Sequence, residues 1–232
     1  MLTSMFARSR VLVLVALASC SAVSPPPLVP MHGGTAPHGE DEVTITLVVG
    51  VAGELLGGDG VGVALRGERQ LTDGGSIGVQ LGGGRGKEGE AIEEHGRAPR
   101  HWLVEVRGYG KLTSPDHDWV AGLASVGLTT MDTGLIATTL AIGGAVSYPN
   151  RYAVPALGLF AAVSHPWRRG AGLGRDGARP DTTWWLGGSV GLAVPIGDTG
   201  NVPSAELGAV WGTSAADDSG QLSLSIADGH TF

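Results

Sequence analysis

The most constraining feature of this chain is an alternating run, residues 183–196, that carries no charge. One alternate set is large and apolar apart from a single glycine: Trp184, Leu186, Gly188, Val190, Leu192, Val194 and Ile196. The other set is mostly small or weakly polar. A soluble antiparallel sheet normally puts polar side chains on its solvent face. An uncharged strand with one apolar face is instead typical of a closed membrane barrel, in which lipid surrounds the sheet.

The same two-residue period recurs through most of the chain after residue 42, and it predicts ten strands. Eight strands is the alternative if two weak segments do not cross the membrane. The segment 119–130 is predicted to be a strand, but its alternation leaves open which face is apolar. The predicted fold is therefore all-β, an antiparallel up-and-down transmembrane β-barrel. The predicted strands are 43–55, 61–68, 76–82, 102–111, 119–130, 134–148, 152–164, 183–196, 205–211 and 222–232.

The lengths of the predicted connections agree with a barrel. The two longest, residues 83–100 and 165–182, are the third and the seventh, so in an up-and-down order they fall at the same end. Short connections at 112–118, 149–151 and 197–202 fall at the other end. Outer-membrane barrels have long loops outside and short turns inside. The fifth connection is also short, so the rule is obeyed in part.

The N-terminus carries a separate signal for location. Arg8 and Arg10 precede the apolar run 11–18, which is too short to span a bilayer and suits a secretory signal. The residues Leu17-Ala18-Ser19-Cys20 resemble the lipobox of bacterial lipoproteins. That resemblance implies a signal peptide over 1–19, cleavage before Cys20 and acylation of this cysteine. An ordinary cleaved signal with an incidental cysteine is the alternative.

Composition limits the remaining possibilities. Removing residues 1–19 takes away two of the 15 basic residues and none of the 22 acidic ones, so the mature chain has a formal charge near −9. This charge argues against a nucleic-acid partner. Residues 20–42 are rich in proline and glycine and show no apolar period, so they are predicted to be a flexible linker. The barrel domain is then 43–232.

Aromatic residues fall near the predicted strand ends, where amphipathic rings favour the headgroup zone of a membrane. With the alternation, they make residues 43–232 resemble the small bacterial outer-membrane β-barrels. That resemblance implies that the C-terminal Phe232 is read by the barrel assembly machinery. His230 and Asp228 depart from the apolar pattern expected in the last strand. The aromatic residues are Trp102, Trp119, Tyr148, Tyr152, Trp167, Trp184 and Trp211.

A small set of charges falls on the face opposite the apolar one. Because an Arg or Lys facing lipid near the bilayer midplane costs about 2–4 kcal/mol, these side chains are expected to point into the lumen. They balance, with three of each sign. The predicted lumen-facing charges are Arg66, Glu68, Glu105, Arg107, Lys111 and Glu206.

The seventh connection carries a local excess of positive charge. Arg168 and Arg169 follow Trp167, and arginine can hold phosphate through two parallel hydrogen bonds. We therefore expect these two arginines to contact lipopolysaccharide phosphate in the outer leaflet. A solvated loop is the alternative, since several glycines follow.

Residues that could carry catalysis do not form a recognised arrangement. Ser164-His165 is adjacent in sequence, which is wrong for a base that must reach the serine hydroxyl. No enzyme activity, cofactor or metal site is predicted. The expected role is an outer-membrane, lipid-anchored barrel of a Gram-negative bacterium with a structural, narrow-pore or surface-binding function, and outer-membrane lipid as its partner. The alternative is a lipid-anchored soluble β-barrel or sandwich that binds an apolar ligand.

The predicted anchor can be tested by metabolic labelling with palmitate. The wild type should be labelled and Cys20→Ala should not, because Cys20 is the only cysteine in the chain. Two or three acyl chains give stable anchoring where one is marginal. Equal labelling of the two proteins would contradict the prediction.

Overall fold

The computed structural model describes ten stretches of the chain, each built around one strand. The described residues are 42–53, 60–72, 74–87, 100–114, 117–132, 134–148, 152–168, 182–196, 201–213 and 218–231. The strands are β1 (Glu42–Gly53), β2 (Gly60–Thr72), β3 (Gly75–Lys87), β4 (Arg100–Ser114), β5 (His117–Met131), β6 (Ile136–Ser147), β7 (Val154–Arg168), β8 (Thr183–Ala193), β9 (Asn201–Thr213) and β10 (Asp218–Thr231). Within these stretches no helix is long and apolar enough to span a membrane.

The strands form one closed sheet. Each strand pairs antiparallel with its neighbours in sequence, and β1 also pairs with β10, from Glu42 opposite Thr231 to Gly53 opposite Gln221. The predicted all-β, antiparallel up-and-down barrel is confirmed, and the described residues contain ten strands. Closure into a single sheet rules out the sandwich alternative. Among the ten described strands it leaves no unpaired edge.

The up-and-down order places successive connections at opposite ends of the barrel. We call the end that carries connections 54–59, 88–99, 132–135, 169–182 and 214–217 the loop end, and the opposite end the turn end. The two longest connections both belong to the loop end, as the sequence predicts. The short β5–β6 connection contains Gly134, whose φ of 84° is a backbone conformation that favours glycine.

Several predicted loop boundaries are wrong, most clearly at the two long loops. The glycine-rich sequence predicts a loop from residue 83, but β3 continues to Lys87, and Gly83 lies opposite Val104. Likewise β7 continues past residue 165 to Arg168. Glycine weakens a strand locally, but in β3 the backbone pairs with both β2 and β4. These two ladders hold the glycines extended.

Large apolar side chains cover the outside of the barrel. On β8, Trp184, Leu186 and Val190 are each more than 60 % exposed, and this is the face that the alternation predicts to be outward. Exposed aliphatic side chains occur on every strand from β2 to β10. The structure also settles the phase of β5: Val126 and Leu128 are exposed, and the residues between and beside them are buried.

Three inward aromatic rings each lie over a glycine on the adjacent strand. Tyr109 lies over Gly78, Phe160 over Gly187 and Trp185 over Gly212, and each pair is directly opposite in the sheet register. A Cβ atom added at any of these glycines would collide with the ring. The interior of a narrow barrel therefore accommodates large rings only where the neighbouring wall has no side chain.

We predict that Gly212→Ala destabilises the barrel because the ring of Trp185 must move. Overpacking of this kind costs about 1–3 kcal/mol. The matched control is Gly108→Ala on β4, where an added Cβ would meet nothing within 4 Å. Thermal unfolding in detergent measures the stability of both variants relative to the wild type. Equal shifts in the two variants would show that the ring does not depend on the glycine.

Candidate functional site: the polar interior wall

The six charged residues predicted to face the lumen lie inside the closed sheet. Glu68, Glu105, Arg107, Lys111 and Glu206 are each no more than 5 % exposed, and the side chain of Arg66 is 11 % exposed. Five of the six lie on β2 and β4, and Glu206 lies on β9. Buried charges are stable only when they are paired and hydrogen-bonded, so their contacts define the site.

Glu68 is the centre of the larger ionic cluster. Its Oε1 accepts a hydrogen bond from the hydroxyl of Ser76 at 2.6 Å and lies 2.9 Å from Nζ of Lys111. Its Oε2 accepts a hydrogen bond from the Tyr109 hydroxyl at 2.9 Å and lies 3.4 Å from Nη2 of Arg66. One carboxylate thus joins side chains from β2, β3 and β4.

Tyr109 belongs to this cluster, and sequence reasoning missed its role. Its ring crosses over Gly78 on β3, so that a hydroxyl carried by β4 reaches a carboxylate on β2. The guanidinium carbon of Arg66 lies 5.7 Å from the centre of the same ring, within cation–π range. The alternation of the sequence already places Tyr109 on the inward face of β4. The glycine opposite it is not predictable in this way, because register is a tertiary property.

A second ion pair lies on β4, nearer the loop end than the first. The guanidinium of Arg107 donates to Oε1 of Glu105, and its Nη1 donates to the hydroxyl of Ser125 at 2.9 Å. A Cβ atom added at Gly127 on β5 would lie only 2.9 Å from Oε1 of Glu105. The pair therefore packs against a wall position that has no side chain, as Tyr109 does.

The opposite half of the interior is mainly apolar. Phe160 and Trp185 form a buried cluster across β6 to β9 with Ala141, Ala162 and Val210. The indole N–H of Trp185 donates to the Ser164 hydroxyl at 3.1 Å, and this hydroxyl shares a 2.8 Å hydrogen bond with Thr139. The interior thus has an ionic half on β2 to β5 and a mainly apolar half on β6 to β9, which also contains the charged residue Glu206.

Aromatic side chains form a belt near each end of the outer surface. All seven of the residues that the sequence places near strand ends are exposed. The indole N–H of Trp167 donates to the Thr138 hydroxyl at 2.7 Å, and the guanidinium of Arg85 lies 5.3 Å from the ring centre of Trp102. Near the loop end lie Trp102, Trp167, Trp184 and Trp211, and near the turn end lie Trp119, Tyr148 and Tyr152.

The remaining sequence candidates are not brought into a common site. Ser164 is fully buried, whereas the neighbouring His165 is exposed on the outer face and contacts Thr182, so this histidine does not reach the serine hydroxyl. Arg168 is the last residue of β7. Arg169 and Cys20 lie outside the described residues. In the described part of the chain, no three potential metal ligands come together.

Several solved structures resemble this chain. An outer membrane channel from Pseudomonas putida F1 has 10 % identity and a TM-score of 0.46. The match covers 89 % of this chain and 100 % of the channel's chain. The translocator domain of the autotransporter NalP from Neisseria meningitidis has 15 % identity and a TM-score of 0.43, covering 87 % and 90 %. The Yersinia pestis outer membrane protein Ail has 12 % identity and a TM-score of 0.39, covering 84 % and 99 %. Likenesses at this level assign no function to this chain.

No protein-family model and no curated protein matches the sequence. The class is therefore defined by the fold and the two surfaces of the sheet. A closed up-and-down sheet with an apolar exterior, a charged interior and aromatic belts has the architecture of a transmembrane β-barrel.

We predict that Glu68→Gln destabilises the barrel by about 3–5 kcal/mol, because breaking a buried ion pair leaves an uncompensated charge. Here the charges left are those of Lys111 and Arg66. Adding Lys111→Met to Glu68→Gln should recover part of the loss, since the double variant no longer buries the lysine charge. Unfolding free energies of the single and double variants measure the coupling. Strictly additive losses would show that Glu68 and Lys111 do not stabilise each other.

Proposed function

We propose that this chain is an integral β-barrel of a Gram-negative outer membrane, tethered in addition through acylated Cys20. Its role is that of a membrane-embedded scaffold, which holds the two long connections of the loop end at the cell surface. The observation that carries the proposal is the inverted polarity of the barrel relative to a soluble one: apolar side chains lie outside and ion pairs lie inside.

The energetic case rests on the outer surface. Each large aliphatic side chain removed from water gains about 1.5–3 kcal/mol, and exposed aliphatic residues occur on β2 to β10. Soluble monomers rarely expose continuous apolar patches larger than a few hundred Å². A hydrocarbon environment stabilises this surface, and the closed ladder leaves no strand edge to be satisfied by water.

The same inversion disfavours a soluble barrel that binds an apolar ligand. Such a barrel needs a polar exterior and an apolar cavity. Here Glu68, Glu105 and Arg107 occupy the interior, whereas Leu140, Leu159 and Leu207 face outward and are each more than half exposed.

A scaffold fits the interior better than a wide diffusion pore does. A water-filled channel keeps the side chains of its wall accessible. On this barrel the inward residues Leu103, Arg107 and Thr139 are at most 2 % exposed. The ionic cluster on β2 to β5 and the aromatic cluster on β6 to β9 both project into the interior, from opposite sides.

Two further lipid contacts are part of the proposal. The Trp-rich belt at the loop end faces the outer leaflet, and Arg168 and Arg169 bind lipopolysaccharide phosphate beside Trp167. The test replaces both arginines with serine and measures how much lipopolysaccharide stabilises the barrel. If lipopolysaccharide stabilises the variant as much as the wild type, the phosphate contact is wrong.

The membrane-spanning part is tested by labelling single cysteines on β5, in a Cys20→Ala background, with a lipid-soluble thiol reagent in outer-membrane vesicles. Val126→Cys and Leu128→Cys should react, because these side chains face outward. Ser125→Cys and Thr129→Cys are matched inward controls and should be protected. Uniform labelling, or protection of the outward pair, would refute the membrane-spanning arrangement.

The scaffold role is tested by reconstitution in planar bilayers. The folded barrel, identified by its shift in gel mobility on boiling, should insert without adding steady conductance. Stable conductance steps in the wild type would replace the scaffold with a pore, and they would leave the membrane-spanning arrangement intact.

A further inference from the structure

Three nitrogen-bearing side chains lie in one row across the ionic half of the interior. Gln80 on β3 is paired with Arg66 on β2 and with Arg107 on β4 in the sheet register. All three side chains point inward. Neighbouring strands are about 4.8 Å apart, so the backbones of the three residues lie within a span of about 10 Å. The guanidinium of Arg66 lies beside Glu68, and that of Arg107 lies beside Glu105 and Ser125.

The amide in the middle of this row is buried without a hydrogen-bond partner. Gln80 is 6 % exposed, and its Nε2 makes no hydrogen bond. Leaving a buried donor unsatisfied costs about 1–3 kcal/mol. Native interiors therefore pair such groups with protein, water or a bound ion. This donor points to a ligand that accepts hydrogen bonds.

The wall beside Gln80 has few side chains. The next inward positions on β3 toward the loop end are Gly82 and Gly84, and across from Gly82 on β2 lies Ala64. All three residues are buried. At these adjacent inward positions the wall itself carries no side chain larger than a methyl group.

The electrostatic surroundings favour a negative ligand. On β2, β3 and β4 the described inward side chains include three cations, Arg66, Arg107 and Lys111, and two carboxylates, Glu68 and Glu105. Both carboxylates are already engaged, Glu68 with Lys111 and Arg66, and Glu105 with Arg107. A small anion at the row would give the amide an acceptor and offset the local excess of one cation on these three strands. The third inward carboxylate, Glu206, lies on β9, which does not pair with β2, β3 or β4.

We propose that Gln80, in the positive field of Arg66 and Arg107 on either side of it in the register, forms an internal binding site for a small monovalent anion the size of chloride. The site depends on the interior of the closed sheet alone. It therefore stands independently of whether the barrel acts as a scaffold or as a pore.

The experiment compares thermal unfolding of the full chain, folded in neutral detergent, in potassium chloride and in potassium gluconate at equal ionic strength. Chloride should raise the midpoint of the wild type by roughly 3–6 °C at about ten times its dissociation constant. Bromide should act like chloride, whereas gluconate is too large for the site.

Gln80→Met removes the amide donor while keeping the length of the side chain. In gluconate this variant should be at least as stable as the wild type, because the unsatisfied donor is gone. In chloride it should be less stable than the wild type, because the anion is no longer held. The matched control is Gln70→Met on β2, whose amide donates to the backbone carbonyl of Thr72. This control should retain the full response to chloride.

The reversal of relative stability between the two salts is the outcome that supports the site. A wild type that unfolds at the same temperature in chloride and gluconate would overturn the proposal. An equal loss of stability for Gln80→Met in both salts would also overturn it, by showing that the amide pairs directly with protein groups. Retention of the chloride response by Gln80→Met would place the anion elsewhere.

Discussion

Closure of the backbone ladder between β1 and β10 is the constraint on which the rest of this structure depends. Every strand has two neighbours, so the hydrogen-bonding groups of the strands find partners within the sheet. An open sheet with the same residues would expose one edge of polar backbone beside an apolar surface. Once the ladder is closed, each side chain has two possible environments, outside and inside, and the two-residue period of the chain sorts residues between them.

The interior must then accommodate what the exterior cannot. Most of its charges are arranged around Glu68 and Glu105, and two of its three large rings, Phe160 and Trp185, lie on the opposite half. Glycine makes both arrangements possible, since Tyr109 reaches Glu68 only by crossing Gly78. The glycines of the inner wall are therefore packing positions. This explains how strands so rich in glycine contribute to a well-packed barrel.

The outer surface links the fold to the proposed location. The strands are 11 to 15 residues long, against the 9 to 11 that a tilted strand needs to cross the hydrocarbon core. Aromatic residues lie near both ends of the apolar band, and indole or phenol groups are stable where hydrocarbon meets water. The two longest connections leave from the same end. This asymmetry is the basis for the proposed orientation, in which the loop end faces the cell surface.

The sequence by itself determined the fold class and the inward or outward direction of most strand residues. This was possible because alternation is a local property, and because charges such as Arg107 have only one favourable side in an apolar environment. Only the tertiary structure decided the register, and with it that Tyr109 lies opposite Gly78 and that Gln80 lies between Arg66 and Arg107. It also decided the phase of β5, where small residues on both faces leave the local pattern ambiguous, and the extension of β3 through its glycines. Register is set by pairing between strands that are distant along the chain, so no local period in the sequence contains it.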